Sequence, residues 1–273
     1  MILHIYRLFR PRLALLNGVT ALAGCALYPA SISVATLLAA FCGVTLLAMG
    51  GSALNQLLEC DVDALMERTM LRPLPRGKLS AKTAFSAGIL VILAGLVPLS
   101  VGGMLLPPLL GVAALLWYLA IYTPLKRKTA FALPLGALCG AVPPLIGWCL
   151  AGGAPTDYRI IILAGVLFVW QIPHFWLLQE RHEADYRRAG LPLVGSQGNP
   201  ISRNALLRLW LVAFIAIALL LPAFNIIARP AAFCYVALLV IMGIPVLMHS
   251  RRVLFVCLNL FPLLVTLILL VRT

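Results

Sequence analysis

Nine long apolar runs, near residues 13–30, 34–54, 83–101, 104–122, 130–152, 159–178, 204–224, 230–248 and 253–271, constrain the fold of this chain more than any other feature. A helix needs roughly 20 mostly apolar residues to cross a bilayer core. In lipid, only helices and closed barrels satisfy their own backbone groups. The runs therefore predict an all-α, polytopic membrane protein with nine transmembrane helices, folded as one domain over residues 1–273. Apolar residues make up 63% of the chain and charged residues 11%, where soluble domains average about 45–50% and about 25%. That balance excludes a soluble globular enzyme, a disordered chain and a collagen-like fibre. Gly102-Gly103 joins the third and fourth runs closely enough to predict a helical hairpin. The seven cysteines contain no Cys-x2-Cys pair and lie mostly in apolar runs, so neither a disulfide framework nor a zinc site is indicated. Leu22-Ala23-Gly24-Cys25, behind Arg10 and Arg12, has the form of a lipoprotein processing site, but eight further apolar runs follow it.

Charge supplies the orientation. The chain carries 21 Lys and Arg against 8 Asp and Glu, a net charge of +13. On a soluble protein this would suggest nucleic acid. On a membrane protein it suggests either basic loops retained in the cytoplasm or an anionic substrate, with no nucleic-acid partner. With the N-terminus cytoplasmic, nine crossings put 18 Lys and Arg on the cytoplasmic side and only Arg159, Arg229 and Arg272 on the other.

The acids are few and therefore informative. Glu59, Asp61, Asp63 and Glu67 follow the second run, Glu180, Glu183 and Asp185 follow the sixth, and only Asp157 lies elsewhere. Asn55, Glu59 and Asp63 recur every four residues, which places an amide and two carboxylates on one helical face at a membrane boundary. Such oxygens suit Mg²⁺, which binds through one or two carboxylates plus substrate phosphates. Arg68 and Arg72 follow directly, and guanidinium groups grip phosphate oxygens in pairs. Acids and bases on adjacent turns point to a metal-bridged diphosphate; a solvated loop of internal ion pairs is the plain alternative. Asp61 lies off the 55/59/63 face and reads as solvated. Glu180-Arg181-His182-Glu183-Ala184-Asp185-Tyr186 is a second acidic cluster with weaker metal spacing, and Tyr122 to Thr129 is a basic segment that serves as a cytoplasmic anchor or a second grip on diphosphate. His174, flanked by Trp170, Phe175 and Trp176, reads most simply as a hydrogen-bonded histidine at a helix end, although its aromatic surroundings would suit a flat ring. His4, His182 and His249 read as interfacial, and Gly136 with Gly140 as a close-packing pair. A transporter is the competing class, but its acids should line the midplane rather than one rim.

These segments together resemble the UbiA-type membrane prenyltransferases. The carrying residues are Asn55-Gln56-x2-Glu59-x-Asp61-x-Asp63-x2-Met66-x-Arg68-Thr69-x2-Arg72-Pro73-Leu74-x2-Gly77, then Tyr122-Thr123-x2-Lys126-Arg127-x-Thr129, with Arg10-Pro11-Arg12 at the opening. Gly136-x3-Gly140-Ala141-x-Pro143-Pro144-x2-Gly147-Trp148, Pro173-His174-Phe175-Trp176 and Asp185-Tyr186-x2-Ala189-Gly190-x-Pro192 look most like the branch of the superfamily that farnesylates heme. The resemblance spans roughly residues 10–195 and implies a ring of helices around a central chamber in the cell inner membrane, with the acidic motifs over its cytoplasmic mouth. It implies Mg²⁺ as cofactor on Asn55, Glu59, Asp63 and Asp185, and diphosphate held by Arg68, Arg72, Lys126, Arg127 and Arg181. Lys126 and Arg127 would share the catalytic role with the metal ligands, and His174 and Tyr186 would contact the heme. Farnesyl diphosphate and heme b would be the substrates, drawn from the lipid bilayer, and a downstream heme-modifying or oxidase assembly protein a partner. A relative that prenylates a quinone precursor and a heme-passing assembly factor remain the alternatives.

Overall fold

The computed structural model describes residues 2–194, 200–227, 229, 231–247 and 250–271, so His249 and Arg272 lie outside the described residues. Those residues form helices and connecting turns, with no strand among them. The first half runs α1 (Ile2–Phe9), α2 (Pro11–Leu27), α3 (Val34–Leu58), α4 (Cys60–Leu65), α5 (Ala81–Leu99), α6 (Leu106–Leu116) and α7 (Thr123–Leu125). A π-helical stretch, Trp117–Tyr122, joins α6 to α7 without a break. The second half runs α8 (Ala132–Leu150), α9 (Tyr158–Arg181), α10 (Glu183–Arg188), α11 (Pro200–Ala218), α12 (Leu220–Ala223), α13 (Ala231–Leu247) and α14 (Arg251–Leu270).

Among the described residues seven helical segments are long and apolar enough to cross a membrane, and α2 and α13, where two further crossings were expected, are shorter apolar helices. Their outward faces are greasy: Leu90, Val97, Leu209, Val212 and Phe233 stand exposed, as lipid-facing residues do in a multi-pass membrane protein. Local signals set the ends. Ser33 and Ser80 cap α3 and α5 by accepting the N–H groups of Thr36 and Thr83 at 3.1 and 3.0 Å. Arg10 adopts a left-handed backbone, φ 47°, which breaks α1 from α2 just before Pro11. Helix α2 packs on α3, α8 and α14, α8 on α9 and α6, and α9 on α11 and α14. The ring is closed where small residues let backbones meet: a Cβ on Gly24 would lie 1.8 Å from the Pro144 carbonyl, and one on Gly147 would lie 1.9 Å from that of Ala21.

Candidate active site

Helix α3 and short α4 keep one register across their junction at Glu59. The Glu59 N–H donates to Asn55 O at 3.0 Å, and the Asp63 N–H donates to Glu59 O at 2.8 Å. The four-residue spacing therefore survives the break, and Asn55, Glu59 and Asp63 all face one chamber of about 380 Å³ while being nearly fully buried. Asn55 donates through Nδ2 to Thr123 Oγ1 at 3.1 Å. Lys126 Nζ lies 2.5 Å from both Glu59 oxygens and donates to Oε2. Arg72 donates to Asp63 Oδ2 at 2.5 Å. Four cations, Arg10, Arg68, Arg72 and Lys126, and two carboxylates, Glu59 and Asp63, line this mouth. The Arg10 and Arg68 guanidinium groups have no carboxylate partner among the described residues. Burial, with Arg72 beside it, holds Arg10 below its ordinary value. Charged groups crowded together with surplus positive charge make an anion receptor.

The mouth continues downward into an apolar and aromatic chamber. Tyr118 and Tyr122 line it from the π-helical stretch, their rings stacked 5.9 Å apart, and Lys126 Nζ sits 5.8 Å from the Tyr122 ring centre. Gly136 makes room for the Tyr122 ring, since a Cβ there would fall 2.4 Å from it. Gly140 does the same for Gln171, so the expected close-packing glycines admit side chains rather than a second backbone. On the opposite wall His174 is stacked between Trp170 and Phe255, at 5.0 and 5.4 Å, and Tyr186 lines the chamber nearer the mouth.

Three residues expected in the site do not line the chamber. Arg127 turns outward, where it clasps Asp61 at 2.7 and 2.8 Å and the Leu58 carbonyl at 2.7 Å. Adjacent helical residues point about 100° apart, so with Lys126 inside Arg127 cannot follow. This pair also holds the exposed Asp61 carboxyl below its usual value, chiefly through the Arg127 hydrogen bond. Arg181 is exposed, its guanidinium 5.7 Å from the Phe255 ring centre. Asp185 is buried, but its oxygens accept the backbone N–H groups of Glu67 at 2.9 Å and Arg68 at 3.2 Å. Burial raises its carboxyl, and these two bonds together with Arg188 outweigh that and hold it below the ordinary carboxylate range. The two acidic clusters are thus brought together, with the second fastening the loop of the first.

The donor set fits a hard cation of small protein coordination. Asn55 Oδ1 and Asp63 Oδ1 have no hydrogen-bond donor among the described residues, and both Glu59 oxygens meet the Lys126 ammonium. No group of three or more His, Cys, Asp or Glu converges as a metal centre among the described residues. That combination suits an ion that takes its remaining oxygens from water and substrate phosphate.

The model of the UbiA prenyltransferase family matches residues 17–269 of the chain. The chain belongs to the UbiA prenyltransferase family. Among its relatives, the protoheme IX farnesyltransferase of Geobacter sulfurreducens is 56% identical over 266 residues, which are 97% of each protein. The protoheme IX farnesyltransferase of Oleidesulfovibrio alaskensis is 42% identical over 202 residues, 74% of this chain and 71% of the relative. Two solved structures share the UbiA fold. A UbiA homolog from Aeropyrum pernix K1 superposes with a TM-score of 0.76 at 18% identity, covering 96% of this chain and 98% of that one. A UbiA homolog from Archaeoglobus fulgidus bound to GPP and Mg²⁺ gives 0.75 at 14% identity, covering 98% of both.

Sequence reasoning missed several residues of this UbiA chamber. Arg10 was noted only for its place in the opening motif. Asn17, Gln171 and Asn259 line the wall deep within apolar runs, where an isolated polar residue is itself a functional signal.

Proposed function

We propose that this chain transfers the farnesyl group of farnesyl diphosphate to a vinyl group of heme b, with addition of water, giving heme O and diphosphate. The observation that carries the proposal is the excess of cations over carboxylates at the mouth of an aromatic chamber. The 56% identity to a protein named protoheme IX farnesyltransferase supports the choice of substrates.

Arg10, Arg68, Arg72 and Lys126 take the diphosphate oxygens and stabilise the negative charge that grows on them as the carbon–oxygen bond breaks. Asn55, Glu59 and Asp63 would hold Mg²⁺, which when bound supplies further positive charge toward the leaving group. Asp185 holds the loop that carries Arg68, and Arg127 and Arg181 stay outside the grip. The allyl carbon left behind becomes cationic, and the stacked Tyr118 and Tyr122 offer ring faces that favour such charge. His174, between Trp170 and Phe255, and Tyr186 form the wall against which the flat macrocycle packs. The apolar lining keeps bulk water from the cation until the vinyl group has reacted.

Nine crossings with the N-terminus cytoplasmic, and with the charged mouth on that side of the inner membrane, follow from the 18 to 3 distribution of basic residues. A farnesylated heme partitions strongly into lipid, so its consumer would be a membrane-bound heme-modifying or oxidase assembly protein.

Membranes containing the chain, supplied with farnesyl diphosphate, heme b and Mg²⁺, should form heme O, identified by chromatography and mass, and a chelator should stop it. A prenylated hydroxybenzoate or naphthoate with no heme O would transfer the assignment to a quinone-precursor enzyme.

A further inference from the structure

Below the charged mouth the chamber has a second polar layer that the grip on diphosphate does not use. Asn17 on α2, Gln171 and His174 on α9, and Asn259 on α14 all line it. At about 1.5 Å per residue they sit about 9 to 15 Å along their helices from Pro11, Arg181 and Arg251, the ends nearest the mouth. Helices α9 and α14 are pinned together at this level, because Trp170 Nε1 donates to the Leu258 carbonyl at 2.8 Å. Gln171 and Asn259 are the next residues along each helix.

The three amides share one design. Asn17 donates through Nδ2 to Leu13 O at 3.0 Å, Asn259 to Phe255 O at 2.6 Å, and Gln171 through Nε2 to Leu167 O at 3.3 Å. In each, the NH2 is tied back to the carbonyl one turn earlier, and the side-chain oxygen has no donor among the described residues. His174 Nδ1 is buried and has no partner there either. This layer is therefore a set of acceptors inside an apolar chamber. Polar groups at membrane depth need partners, and these amide oxygens open on the chamber. A molecule that brings hydrogens and no net charge satisfies them. A water molecule that donates one hydrogen to an amide oxygen and the other to the His174 imidazole keeps its lone pairs free for attack.

We infer that Gln171, Asn259 and Asn17 hold the water that completes the reaction, and that the His174 imidazole takes its proton. The step rests on the farnesyl transfer proposed above. The terminal vinyl carbon bonds to the farnesyl carbon as the bond to diphosphate breaks, which leaves positive charge on the vinyl carbon next to the macrocycle. The water oxygen bonds to that carbon, and one water proton passes to the His174 imidazole. The amide oxygens also turn the negative ends of their dipoles toward the cation before capture. Without a held water the same cation has one easy fate: loss of a proton from the adjacent carbon to give an alkene lighter than heme O by one water.

The test reads the ratio of these products. Gln171→Leu and Asn259→Leu, in membranes supplied with farnesyl diphosphate, Mg²⁺ and heme b, should raise the ratio of alkene to alcohol roughly tenfold each, the effect of one well-placed hydrogen bond. Heme-dependent release of diphosphate in the unaltered protein tests the farnesyl transfer by itself, so the two ideas fail separately. An unchanged ratio in both variants, or loss of both products in both, overturns the assignment.

Discussion

Removal of the Asp185 carboxylate separates two roles for it, metal ligand and loop clamp. Its oxygens receive two backbone N–H groups, from Glu67 at 2.9 Å and Arg68 at 3.2 Å, across 118 and 117 residues of sequence. Hydrogen bonds to a charged group contribute about 1.5–3 kcal/mol each, with the longer of these at the low end. Arg188 stands 3.6 Å away but is 46% exposed, so that pair adds little. Asp185→Ala should therefore loosen the loop holding Arg68 by about 3 kcal/mol, a factor of about 10² in its ordered population. A ligand that needs the ordered loop then binds more weakly by up to that factor. Steady-state kinetics with farnesyl diphosphate varied should show KM raised as much as about 10²-fold, kcat largely recovered at saturation, and an unchanged Mg²⁺ requirement. Asp63→Ala should instead lower kcat at any substrate concentration, by about 10²–10³ as for loss of a preorganised charge. If Asp185→Ala lowers kcat with KM unchanged and demands more Mg²⁺, the clamp is refuted and the carboxylate is a metal ligand. The same clamp predicts no titration of KM at working pH. Because the folded carboxyl lies below its ordinary 3.8, the stabilisation is complete above that value and is lost only as pH falls through the lower one.

Neighbouring Lys126 and Arg127 should behave unlike one another. Lys126→Met leaves Glu59, only 3% exposed, without its cation, and should lower both turnover and the thermal midpoint in detergent by about 3 kcal/mol of stability. Arg127→Ala removes a pair that is 34% and 67% exposed, so less than about 1 kcal/mol and only a small part of the activity should go; equal effects would mean that both face the chamber. Gly24→Val places carbon against the Pro144 backbone at 1.8 Å, which neither chain can relieve by rotating a side chain, and should destabilise the bundle by more than about 1–3 kcal/mol; a thermal midpoint equal to the parent's would contradict the packing. Single cysteines at Lys78 and Arg229 should label from opposite sides of sealed membranes, Lys78→Cys from the cytoplasm, and labelling from one side would break the nine-crossing topology.

The helices and the face bearing Asn55, Glu59 and Asp63 were legible because each is a local pattern. Apolar length sets the helices, and a spacing of four stays on one face as long as the hydrogen bonds keep register, which they do through the Glu59 junction. The clamp made by Asp185 was not legible because its partners are backbone groups more than 100 residues away, and nothing in the nearby sequence records them. The outward turn of Arg127 was not legible because composition treats adjacent cations alike, whereas helical phase sends one inward and the other to Asp61. Asn17, Gln171 and Asn259 were written plainly in the sequence as polar residues inside apolar runs, but hydropathy averages them away, and only the fold brings three separate helices to one chamber. Their depth has a chemical meaning. A cation formed at the mouth must be kept from water until it has met its acceptor. A wall with free water-holding groups along the path of the cation would quench it too early. A wall with none at all would leave the last cation only proton loss. Acceptors placed one to three turns below the grip allow both requirements to be met in the same chamber.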